Sequence, residues 1–130
     1  MSPPDRRVPV EAIRQAARLA TEATSLRAVA RGVGMSPMGL RHFLDGRRPY
    51  SATLRKLNVW FVAHSAEQAA GFSEDAARSA LAVLLDGIPE AGRDQAAAIV
   101  LDDLWRTHRH FGSRPPAWLT ALRDRGDEPS

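Results

Sequence analysis

Apolar positions recur along the chain at the three-to-four-residue spacing of helices, and no alternating β-branched run of useful length interrupts them. Val10, Ile13, Ala17 and Ala20 share a face of a first helix, with Pro9 acceptable at its first position. Ser25 is placed to cap a short second helix whose inner face is Leu26, Val29, Ala30 and Val33, and Gly32 and Gly34 end it. Ser36 caps a third helix, Pro37 takes its first turn, and Leu40, Phe43 and Leu44 supply its buried stripe before Asp45-Gly46 closes it. The segment Arg47-Arg48-Pro49-Tyr50 reads as a basic loop, because proline restrains its neighbour and lacks an amide donor.

Ser51 opens a fourth helix with Leu54, Leu57 and Phe61 inward, running toward Ala70, where Gly71 interrupts. Ser73 caps a fifth with Ala77, Leu81, Leu84 and Ile88 on one face. After a break at Gly87, Pro89 and Gly92, a long helix is expected from Asp94 to Phe111, its stripe being Ala97, Val100, Leu101, Leu104, His108 and Phe111. A turn over 112–116 leads to a final short helix marked by Trp118, Leu119 and Leu122, and residues 125–130 read as a frayed tail. The pattern predicts an all-α chain of six or seven helices, without repeats or a sustained heptad.

Composition narrows the chemistry. At 130 residues, 44% apolar and 25% charged, the chain matches one domain, or a small domain with a helical appendage, and does not match a disordered one. Cysteine is absent, which removes disulfides, thiolate metal sites and cysteine nucleophiles. No run of 18 apolar residues offers a membrane span, and Arg6 and Arg7 have no apolar stretch behind them, which argues against a secretion signal. The basic residues are 17 arginines and Lys56, and their distribution is uneven. Residues 1–64 hold 11 basic and 4 acidic groups, a balance of +7; residues 65–130 hold 7 and 11, a balance of −4. That split suits a chain whose first half meets a polyanion.

The second and third helices carry the informative pattern. Two short helices that cross steeply need a small residue at the contact, a turn that tolerates positive φ, and hydrophobes at fixed distances beyond it. Ala30, Gly34, Leu40 and Phe43 meet those needs, with Val29, Val33 and Met35 completing the plug. The stretch Ser25 to Gly46 (SLRAVARGVGMSPMGLRHFLDG) resembles the helix-turn-helix of phage-repressor-type (Cro-like, XRE-like) transcription regulators. The Phe43-Leu44-Asp45-Gly46 exit, the basic loop and Thr53-Leu54-Arg55-Lys56-Leu57 are similar to that family's path into its fourth helix; the resemblance covers roughly residues 9–70, and extends to 86 if the helix after Ser73 is the family's fifth. It implies a lambda-repressor-like helical DNA-binding domain over residues 1–70, with residues 1–8 as an N-terminal arm; residues 71–124 read, from their own apolar pattern, as a helical extension.

The resemblance also assigns roles. Met38, Arg41 and His42 would face the major groove: Met38 against a thymine methyl, Arg41 bridging O6 and N7 of a guanine, His42 donating to a purine N7 or a phosphate. Ser25, Arg27, Ser36, Pro37, Gly39, Arg47, Arg48, Tyr50, Thr53 and Lys56 would hold the backbone, Pro37 and Gly39 by allowing close approach and the N-terminus of the third helix by its positive end. The family often places glutamine, a phosphate anchor, where this chain has Leu26; Ser25 or Arg27 would substitute. Against these roles stand plainer ones: Arg41 and His42 as a solvated face, Met38 as packing, and Arg6 and Arg7 as a tail rather than an arm entering the minor groove.

Nothing points to catalysis. His108 and His110, beside Asp102 and Asp103, are metal-ligand types, but on a helix the two histidines point apart. No phosphate-cradling glycine loop, nucleophile elbow or carboxylate pair is visible, so no enzyme activity, cofactor or metal is expected. The acidic half is too apolar for a tail. Leu84, Leu101, Leu104, Trp105, Phe111 and Trp118 are the candidate anchors of a homodimer or partner interface, the competing arrangement being an extra helical layer folded back on the monomer. The expected function is a cytoplasmic, nucleoid-associated repressor that binds double-stranded DNA as a dimer on a palindromic site. The alternatives are an antitoxin-like autorepressor whose acidic half binds a toxin or another protein, and an adaptor that no longer touches DNA.

Overall fold

The computed structural model describes residues 4–68 and 72–123. Among them the chain is all-α: α1 (Val10–Ala23), α2 (Leu26–Val33), α3 (Pro37–Leu44), α4 (Ser51–Ala66), α5 (Glu74–Leu84), α6 (Glu90–His110) and α7 (Ala117–Leu122). The expected 125–130 tail, and the Ala70-Gly71 end of the fourth helix, lie outside the described residues. Pro9 and Tyr50 occupy the N-cap positions of α1 and α4 without a side-chain cap, so Pro9 sits one residue before its expected place, while Ser51 opens α4 as expected. Helix α6 starts at Glu90, a turn earlier than expected, because Pro89 is extended and Gly92 is carried within the helix.

Two apolar clusters organise the chain. The first joins Ile13 and Ala17 of α1, Val29, Ala30 and Val33 of α2, Leu40 and Phe43 of α3, and Leu57 and Phe61 of α4. Ala30, almost fully buried, is the small residue that a close crossing of α2 with its neighbours requires. The second joins Ala77, Leu81 and Leu85 to Ala97 and Leu101 of α6 and Leu119 and Leu122 of α7. Helix α5 packs on α4 more extensively than any other helix pair packs, so the acidic half folds back against the basic half as a second layer. One expected position changes: Leu84, placed inward by simple periodicity, is 73% exposed, while Leu85 beside it is buried. Leu85 lies four residues past Leu81 and eight past Ala77, and its amide donates to the Leu81 carbonyl (2.9 Å), so it keeps their buried face while Leu84 turns to solvent.

Of the expected N-terminal arm, Asp5 and Arg6 are tied to the acidic half. Arg6 is buried to 4% side-chain exposure, donating from Nε to the Leu122 carbonyl (2.9 Å) and from Nη1 to Asp94 (2.9 Å). Arg78 of α5 in turn donates to the Asp5 carbonyl. Arg7 points outward and pairs with Asp5, and its guanidinium hydrogen bond holds the Asp5 carboxyl below the usual carboxylate range. The chain before α1 thus staples the first core to the second.

Asn58 and Ser65 on α4 and Ala76 and Ser79 on α5 are buried but belong to neither apolar cluster. Small and polar side chains let the two helices approach closely, at the cost of unpaired atoms: Asn58 Oδ1 and Ser79 Oγ lack hydrogen-bond partners. An unpaired buried hydroxyl costs roughly 1–3 kcal/mol. Ser79→Ala is therefore expected to raise stability by about 1 kcal/mol, read as a higher urea midpoint with unchanged slope; a lower midpoint contradicts the assignment.

Candidate nucleic-acid interface

The turn between α2 and α3 is fixed by backbone chemistry. Gly34 sits at φ +91°, a left-handed conformation open to glycine. Its amide and that of Met35 both donate to the Ala30 carbonyl, at 2.9 and 3.0 Å. Lys56 reaches across from α4 to donate from Nζ to the Gly34 carbonyl (3.1 Å), a cation at the C-terminal end of α2, where the helix dipole favours one. Lys56, expected to hold phosphate alone, thus also closes the turn.

At the start of α3 the Ser36 hydroxyl accepts from the Gly39 amide (3.0 Å), and the Ser36 carbonyl accepts from Leu40. Pro37 at the first position has no amide. The predicted anion-binding end is therefore narrower than a bare helix terminus, with Met38 the remaining amide of that turn. Gly39 has an internal reason as well: a Cβ there would fall 3.0 Å from Ser36 Oγ, inside the capping hydrogen bond. An equivalent cap opens α2, where Ser25 Oγ accepts from the Ala28 amide (3.0 Å); Leu26 packs on the first core and Arg27 is exposed.

The far end of α3 is held by α1. Arg14, 6% exposed, donates from Nε to the Phe43 carbonyl (2.6 Å) and from Nη2 to the Arg47 carbonyl (3.4 Å). It also pairs with Glu11 and lies over the Phe43 ring, 4.7 Å from its centroid. One turn later, Arg18 donates to the Leu44 carbonyl (2.8 Å). Sequence reasoning missed both arginines, since an arginine beside an apolar stripe looks like any solvated position. Their i, i+4 spacing facing an unpaired helix end was the available signal.

Between these fixed ends lies a groove of about 500 Å³. Ser36, Gly39, His42, Arg47, Arg48, Tyr50, Thr53 and Lys56, all expected at the site, line it, and its charged lining residues are the cations Arg47, Arg48 and Lys56. Tyr50 is 88% exposed at its edge, and His42 Nδ1 lies 3.5 Å from Arg47 Nη1. Met38, 62% exposed, and Arg41 stand three residues apart on α3 and project outside the groove. Pro37 is exposed beside them, while Ser25 and Arg27 sit apart at the start of α2. The arrangement presents a short helix with an apolar and a cationic tip, flanked by a cationic concavity. A second hollow, about 290 Å³, opens between α1, α2 and α4 on a different set of residues, including Ala20, Ala28, Val29 and the stacked pair Trp60 and His64.

The expected interface residues of the acidic half divide. Leu101 is fully buried in the second core and faces no partner, a correction that follows from α6 turning its Ala97–Leu101 edge toward α7. Trp105 packs on that core beneath the guanidiniums of Arg123 (4.0 Å) and Arg109 (5.0 Å), and Trp118 meets Phe72 edge-on. Leu84, Leu104 (40% exposed) and Phe111 (75% exposed) point outward. Among the described residues no group of histidines and carboxylates is arranged to hold a metal ion, and no helix is long and apolar enough to cross a membrane. No protein-family model, curated protein or solved structure matches the chain.

The α1–α3 clamp is directly testable. Arg14→Met removes charged donors from the Phe43 and Arg47 carbonyls and is expected to destabilise the chain by about 1.5–3 kcal/mol in urea unfolding. Arg18→Met, at an exposed site, should cost under about 1 kcal/mol. Equal effects from the two changes would contradict the burial-based distinction.

Proposed function

We propose that the chain is a helix-turn-helix transcriptional regulator of the lambda-repressor-like class, which binds double-stranded DNA sequence-specifically as a two-fold pair and acts as a repressor. The observation that carries this reading is the pairing of exposed Met38 and Arg41 on α3 with the adjoining cationic groove of Arg47, Arg48 and Lys56. A short helix with free side-chain tips is the shape that enters a major groove, and cations beside it are what the flanking phosphates require. In that pose Arg41 reads guanine through O6 and N7, Met38 packs on a thymine methyl, and His42 lies at the groove edge. Arg47, Arg48, Tyr50, Thr53 and Ser36 meet the phosphate backbone, and Arg27 with Ser25 stands where a second phosphate contact would come. One recognition helix reads few base pairs, so the proposal includes two copies on half-sites about 34 Å apart.

The division of roles sets the test. Arg41→Ala is expected to lose about 1–3 kcal/mol of discrimination between matched and mismatched duplexes. Arg48→Ala should weaken all duplexes alike and reduce the salt dependence of the affinity by about one phosphate contact. Both are exposed, so neither should disturb the fold. Equal loss of discrimination from the two changes, or affinity for the unaltered chain indifferent to salt and to duplex sequence, would reject the proposal.

A further inference from the structure

Helix α6 carries a face that no other described residue covers. Arg93, Ala96, Val100, Asp103 and Thr107 follow one another at spacings of three, four, three and four residues, which sets them along a single stripe. Ile99 (57% exposed) and Leu104 (40% exposed) flank the stripe, and Phe111 (75% exposed) continues it past the helix end. Ala96 and Val100 touch the second core with one side and remain half-exposed on the other. Isolated exposed hydrophobes are ordinary, but here Ile99 and Leu104 border on either side a stripe whose small apolar residues would let a second helix approach.

The charges on this stripe select its occupant. Of the other acidic groups of α6, Asp94 is engaged with Arg6 and Asp102 with Arg106 and Arg123, and Glu90 stands exposed in the first turn. Among the described residues Asp103 makes no ion pair. Arg93 makes none either, spending Nε and Nη2 on the Ile88 carbonyl. The two lie ten residues apart, about 15 Å along the helix, too far to pair within one chain. A second α6 laid antiparallel, with the two-fold axis beside residue 98, sets each Arg93 opposite the other copy's Asp103. The same register sets Ala96 opposite Val100 and Leu104 opposite Gly92, where no atom lies within 4 Å of a built Cβ. It carries Phe111 toward the other copy's α5–α6 turn, beside which Leu84 is 73% exposed. A parallel pairing would instead stack arginine on arginine and aspartate on aspartate.

We infer that the α6 face of Arg93, Ala96, Val100, Asp103 and Leu104 is a self-association surface, and that its occupant is a second copy of this chain in antiparallel register. The inference deepens the DNA-binding proposal by naming the contact that pairs two recognition helices, but the association itself needs no DNA. One helix pair is at the small end of stable interfaces, so the dimer should dissociate on dilution.

The experiment is sedimentation equilibrium of the full chain and four variants without DNA, with helicity checked by circular dichroism. The unaltered chain is expected to dimerise. Arg93→Asp and Asp103→Arg should each weaken association by about tenfold or more, and the double variant should recover most of it. Ile99→Glu, at an exposed position, should weaken it as well. Loss of the Arg93–Ile88 bond alone would not be repaired by a change 15 Å away, so recovery separates pairing across copies from a purely structural role. A monomer at all concentrations, or a double variant no better than the singles, overturns the inference. A monomer whose Arg41 and Arg48 variants still differ as described rejects this interface alone, and a dimer without affinity for DNA rejects only the DNA-binding proposal.

Discussion

The last turn of α3 ends in carbonyls that face α1, and the guanidiniums of Arg14 and Arg18 meet them there. A helix C-terminus carries partial negative charge and needs donors or water. Arg14 supplies its donors from a buried position, gripping Phe43 and Arg47 from one side while its plane lies over the Phe43 ring. With Ser36 closing the other end of α3 and Lys56 closing the turn before it, the short helix is tied at both ends and at its entry. Eight residues would scarcely hold a helix alone. Every feature of the candidate site, from the outward set of Met38 and Arg41 to the position of the Arg47-Arg48 loop, depends on that fixation.

The two cores divide labour along the charge split of the sequence. The first packs α1 to α4 and leaves the cationic groove on its surface; the second packs α5 to α7. They join through the α4–α5 contact and through Arg6, which reaches Asp94 and Leu122 from the start of the chain. Tethering Arg6 in this way withdraws it from any ligand. What remains for a polyanion is the set of cations that no carboxylate in the groove neutralises.

Much of this was legible from residue patterns, and the reasons differ by element. Gly34, Ala30, Leu40 and Phe43 could be placed because a tight turn and a close crossing admit few residue types. Serine caps at 25, 36 and 73 were readable because the capping hydrogen bond is local. Leu84 was misplaced because Ala77, Leu81 and Leu85 share the buried face at four-residue spacing, which leaves Leu84 beyond its edge. Leu101, fully covered within the chain, passed for an interface anchor because a stripe of hydrophobes does not say whether its cover comes from the same chain. The tertiary roles of Arg6, Arg14 and Lys56 were hidden, since each depends on a carbonyl or carboxylate distant in sequence: 116 residues for Arg6 to Leu122 and 29 for Arg14 to Phe43.

The central claim, that the α3 surface and its cationic groove read duplex DNA as a two-fold pair, is met most directly by selection from a random duplex library with the full chain. Enrichment of an inverted repeat whose half-sites are centred about one helical turn, roughly 34 Å, apart is the expected result. A pool that shows no enriched sequence after selection would contradict it.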